Sequence, residues 1–122
     1  MEEVKKKISK EEFENLKKLS FFKGKIVSSS MSPVIKEGES IVVDVGQMQI
    51  KRFDIVVIYM DDILVCHYLW RLNQHIHPIY MQTRSLSGGV DIPITLDNYL
   101  GKVVNFDLGL FRKTRIFLKH IS

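Results

Sequence analysis

A single cysteine, Cys66, stands in the 122 residues, so an internal disulfide is excluded and nothing points to an oxidising compartment. Apolar stretches as long as the roughly 20 residues of a bilayer-spanning helix are also missing. The N-terminus, Met-Glu-Glu-Val-Lys-Lys-Lys, has no apolar core behind it and does not read as a signal peptide. Internal repeats and low-complexity segments are absent, and the residue balance is that of an ordinary globular domain. A chain of this length buries roughly two-thirds of its unfolded surface and needs no metal or disulfide to hold together. The expectation is one domain over 1–122, cytoplasmic, soluble or held peripherally at a membrane. The formal charge of +4 is mild. It reads first as a solvated Lys/Arg surface; it would also aid contact with an anionic lipid surface or with nucleic acid, though no arginine-rich helix or aromatic-basic array supports the latter.

What is present reads as one helix followed by strands. Ser9 and Glu12 form a capping-box pattern, Ile8 and Phe13 a hydrophobic staple, and Phe13, Leu16 and Leu19 recur at helical spacing. A helix over about 9–20 follows, with Gly24 at or beyond its stop. A β core is expected over about 25–108. Its strands run over 25–28, 41–45, 54–60, 63–72, 76–83 and 99–108, with a turn at Glu37-Gly38, a hairpin at Asp61-Asp62 and a loop over 84–93. Pro78 suggests an edge or irregular position. The basic tail, 112–122, is equally readable as helix or strand. The predicted fold class is mainly β, a partly open barrel or sandwich with one N-terminal helix.

The most informative segment is Ser28-Ser29-Ser30-Met31-Ser32-Pro33, between a short strand and the run from Val34 to Asp44. It resembles the serine motif of the signal peptidase I and SOS-repressor clan of serine peptidases, in which a nucleophilic serine precedes methionine, any residue and proline. A serine hydroxyl needs a base to remove its proton and backbone N–H groups to receive the developing oxyanion, and a tight segment after a strand presents both. The resemblance makes Ser30 the nucleophile. Ser28, two positions earlier, and the Ser30 N–H would bind the oxyanion. Met31 and Pro33 would shape the substrate side, Met31 by filling the core beneath the nucleophile and Pro33 by stiffening the chain beyond it. Ser29 stands where glycine is common.

The clan uses lysine or histidine as base, on a strand that follows a segment like Gly-Asp-Ile-Val-Val. Here Arg52-Phe53-Asp54-Ile55-Val56-Val57-Ile58 matches that segment, with Phe53 in the glycine position, and the next strand carries His67 where the base falls. Between Arg52 and Gly101 there is no lysine, so only the Ser/His version is available locally. Imidazole as a side-chain type is suited to general-base work at neutral pH. Tyr68 replaces the arginine that often follows the base. Asn98 to Val104 matches the clan's late Gly-Lys-Val strand. The segment between, Gln82 to Asp91, lacks a Gly-Asp pair and leaves Asp91 as the acidic residue to orient His67. In layout the chain is similar to the short, anchor-free signal-peptidase-like proteins of bacteria, over about 13–104.

The resemblance implies hydrolysis of a peptide bond in an extended peptide or protein substrate, with small side chains before the cut or with the substrate in the same chain. No cofactor is implied. Three rivals stand beside it. A metal site would use His75 and His77, joined by His67 and His120. A cysteine enzyme would use Cys66, although neighbours on a strand face opposite ways and Cys66 could not engage His67. A catalytically inactive peptide-binding module on the same fold would bind an extended segment by strand addition.

Overall fold

The computed structural model describes residues 2–4, 7–75 and 77–121. Its strands are β1 (Glu2–Val4), β2 (Phe21–Ile26), β3 (Ser40–Val45), β4 (Ile55–Met60), β5 (Ile63–Asn73), β6 (Tyr80–Arg84), β7 (Ile94–Thr95) and β8 (Tyr99–Val103). The helices are α1 (Lys10–Leu16) and α2 (Leu110–Ile121), with one 3-10 turn at Leu96–Asn98. The protein is mainly β. All strands join one sheet in the order β1-β2-β3-β8-β4-β5-β6-β7, antiparallel except for the β1–β2 pair.

The expected closure into a barrel or sandwich is not among the ladders of the described residues: β1 and β7 end an open sheet. The sheet nevertheless curls, since Lys7, just after β1, bridges to Ile63 at the start of β5. Two apolar layers result, and β4 shows why its run is continuously apolar. Ile55, Val57 and Tyr59 enter the larger layer, and Val56 and Ile58 the smaller, so both faces are covered. On β5, Leu64, Cys66, Tyr68 and Trp70 face the larger layer, and Val65 and Leu69 the smaller. His67 falls on the second face between Val65 and Leu69 by strand alternation.

Local sequence explains the elements nearest the site. Ser9 Oγ accepts from the Glu12 N–H at 3.1 Å while Glu12 Oε1 accepts from the Ser9 N–H at 3.2 Å, closing the capping box of α1. Phe13 is fully buried and stacks on Tyr59 at 4.5 Å between ring centroids. The β4–β5 hairpin turns at Asp61 and Asp62, both with positive φ (54° and 65°), the paired left-handed conformation of a two-residue hairpin loop.

Several boundaries differ from expectation. The helix expected to 20 stops at Leu16, because Leu19 finds no core and is 47% exposed. Gly24 does not end a helix; it sits inside β2, where an added Cβ would lie 2.9 Å from both Phe22 Cε1 and Val4 Cγ2. Strand β2 therefore begins four residues before the expected 25. The strand expected from 76 starts at Tyr80, and Ile76 lies outside the described residues. The late strand stops at Val103, short of 108, and the tail is helical from Leu110. The short strands β1 and β7 carry too few residues to be visible as sequence patterns.

Candidate active site

The site is assembled on the second face of β5. His67 pairs across the sheet with Val56, and Leu69, two residues on, pairs with Thr83 of β6. His67 and Thr83 therefore share one face, diagonally placed. The chain leaves β6 through a clasped loop. Ser85 donates its N–H to Gly89 O at 3.0 Å, Ser85 Oγ accepts from the Gly89 N–H at 2.9 Å, and Arg84 bridges to Val90. This return delivers Asp91 back beside β6, where its N–H donates to Thr83 O at 2.9 Å and its carbonyl accepts from Gln82 Nε2 at 3.1 Å.

The Asp91 carboxylate is thereby fixed against two donors. Its Oδ2 lies 2.5 Å from His67 Nδ1 and accepts from Thr83 Oγ1 at 2.6 Å. A carboxylate only accepts, so Nδ1 carries a proton, and in the neutral ring Nε2 is then the acceptor. The His67 side chain is 8% exposed and that of Asp91 13%. Nε2 is buried and has no hydrogen-bond partner among the described residues.

The serine segment lies in the turn after β2. Ser28 Oγ and Ser30 Oγ share a hydrogen bond of 3.2 Å. The Ser30 carbonyl accepts from the Ser87 N–H at 3.2 Å, which ties this turn to the loop that delivers Asp91. Met31 is buried in the larger core layer, so its side chain forms the floor of the turn and does not face a substrate; Pro33 is exposed. The structure thus brings His67 to Asp91 and Ser28 to Ser30, and links the two halves through Ser87. The Ser30 hydroxyl is not hydrogen bonded to His67.

Thr83, Gln82 and Ser87 support the site without belonging to the serine or histidine motifs of the sequence. Thr83 is buried on β6, two residues from the buried Met81, and that placement is set by the fold. Phe53, in the glycine position of the resemblance, has a φ of +78°, a left-handed conformation that favours glycine. Its N–H donates to Leu69 O at 2.6 Å, and its ring meets Trp70 edge-on at 6.1 Å.

The rival chemistries find less. His75 and His77 are exposed on the connection between β5 and β6, not along one strand face, and the His120 side chain lies outside the described residues. No three His, Cys, Asp or Glu side chains converge among the described residues. Cys66 faces the larger core layer, away from His67, and burial pushes its thiol up to about 12, far from a usable thiolate. No described helix is long and apolar enough to cross a membrane. No protein-family model, curated protein or solved structure matches the chain.

Proposed function

We propose that the chain is a serine endopeptidase of the signal-peptidase kind, on that clan's catalytic-core fold, with Ser30 as nucleophile and His67 as general base. The observation that carries this reading is the buried His67–Asp91 pair, which in the neutral ring makes Nε2 the acceptor, an atom with no hydrogen-bond partner among the described residues. A histidine that merely fills a core normally satisfies both nitrogens. The link from Ser87 to Ser30 and the left-handed φ at Phe53 add support.

In the proposed cycle Ser30 Oγ turns from Ser28 to His67 and attacks the substrate carbonyl as Nε2 takes its proton. The Asp91 carboxylate steadies the imidazolium. The Ser28 hydroxyl, released from Ser30, and the Ser30 N–H donate to the oxyanion. Nε2 then returns the proton to the leaving amine, and a water activated by the same nitrogen cleaves the Ser30 ester to regenerate the hydroxyl.

A second reading, a peptide-binding module without turnover, is favoured by one fact: the Ser30 hydroxyl is engaged by Ser28. A fluorophosphonate probe separates the two. The endopeptidase reading expects an adduct on Ser30 that Ser30→Ala and His67→Ala both abolish while circular dichroism is unchanged. No adduct at any pH from about 6 to about 9 leaves the binding module.

A further inference from the structure

Helix α2 is laid on the protein with its apolar side outward. At 3.6 residues per turn, Leu110, Phe111, Thr114 and Leu118 gather on one side, and Arg112, Lys113 and Ile116 on the other, with the exposed Arg115 and Lys119 on the flank between them. The contacts settle which side faces the body. Ile116 packs on the larger core layer, and Arg112 and Lys113 are half-buried. Leu110, Phe111 and Leu118 are 82%, 77% and 59% exposed, whereas Phe117, 39% exposed, has the Arg52 guanidinium 6.0 Å from its ring centroid. An amphipathic helix on a free-standing domain does the reverse, burying its apolar side.

Charge identifies what covers this face. Four Lys/Arg residues lie in α2, and no acidic residue occurs from Leu108 to Ser122. A second copy docking through the same patch about a two-fold axis would set these cations against their own equivalents. An anionic lipid surface instead complements them, and an apolar stripe flanked by Lys and Arg is the pattern of a helix lying in the membrane interface.

We propose that α2 lies along an anionic bilayer, sinking Leu110, Phe111 and Leu118 below the headgroups while Arg115 and Lys119 meet the lipid phosphates. The helix and the loop after β6 share a cleft of about 510 Å³, lined by Arg84, Ser85, Leu86, Phe111 and Arg115 among others. Docking would hold that loop, and the serine turn tied to it, at the lipid surface. The proposal does not depend on Ser30 being catalytic.

The test is sedimentation of the full chain with phosphatidylcholine vesicles, with and without phosphatidylglycerol. Binding is expected only to the anionic vesicles and should weaken as salt rises. Neutralising each cation should lower partitioning about fivefold, so Arg115→Gln with Lys119→Gln should lose roughly thirtyfold. Phe111→Ser with Leu118→Glu, at exposed positions that leave the fold intact by circular dichroism, should abolish binding. Equal binding to both vesicle types, or unchanged binding by the apolar variant, overturns the proposal. So does a concentration-dependent dimer abolished by that variant, which would show a second copy covering the face.

Discussion

Replacing Asp91 by asparagine changes one charged oxygen for an amide and leaves the shape of the site nearly untouched. In the native site Oδ2 accepts from both His67 Nδ1 and Thr83 Oγ1. If the amide oxygen takes that place, both hydrogen bonds survive but lose their charge, each falling from about 1.5–3 kcal/mol towards about 1 kcal/mol. If the amide nitrogen takes it, Nδ1 must accept, the proton moves to Nε2, and the base is lost. In either arrangement the imidazolium loses its counter-charge. The expected cost is a 10³–10⁴-fold slower phosphonylation by the fluorophosphonate, in which Ser30 Oγ displaces fluoride from phosphorus, or about 4–5.5 kcal/mol on the barrier. Stability should fall far less, by about 1–2 kcal/mol in chemical denaturation. Long-range proton–nitrogen correlation of the His67 ring reads the tautomer directly: the Nδ1–H form in the native protein, with Nε2–H gaining in the variant. An Asp91→Asn protein that is phosphonylated at the native rate, with the native tautomer, refutes the reasoning.

Two further outcomes test the fold. Gly101→Ala should destabilise the protein by roughly 3 kcal/mol in a denaturant titration, because its Cβ would run into the Asp44 carbonyl oxygen and stand 2.8 Å from Val43 Cγ1, between two paired strands that have no room to part. Alkaline titration should reveal Cys66. Burial raises its thiol from 9.0 to about 12, so the folded state keeps the proton that the unfolded chain releases first. The contribution is whole below about pH 9 and is lost as pH rises through about 12, by about 1.4 kcal/mol per pH unit. Cys66→Ala should flatten that loss; burial also raises Tyr68 and Tyr99, which leave a residual slope.

Legibility in the sequence followed the range of the interactions. The capping box at Ser9 and the turn at Asp61-Asp62 are set by residues within three or four positions, and the structure has both where the pattern put them. The alternation through β5 fixed which face His67 takes, because a strand's period is local. Strand β1 was not legible: it holds three residues and exists by pairing with β2, about twenty positions away. The tail was equally readable as helix or strand, and its helix, as well as the side it turns inward, depends on the surface Ile116 found. Thr83 shows the same limit at the site. Nothing near it in sequence announces that a clasped loop will bring Asp91 back to its hydroxyl.

The buried polar cluster on β5 and β6 separates a fold requirement from a functional one. Leaving a buried acceptor such as His67 Nε2 unpaired costs about 1–3 kcal/mol, and placing a carboxylate beside the ring adds desolvation that the pairing only partly offsets. If the cluster serves the fold, replacing it should unfold the protein. If it is kept for chemistry, apolar side chains of similar volume should pack at least as well between Val65, Leu69 and Met81. The triple variant His67→Leu, Asp91→Leu, Thr83→Val is therefore expected to match or exceed the native protein in denaturant midpoint while taking no fluorophosphonate. His67→Leu alone, which strips the Asp91 carboxylate of its ring partner, should lose about 3 kcal/mol. A triple variant less stable than that single one would make the cluster a structural device and remove the main ground for assigning it to catalysis.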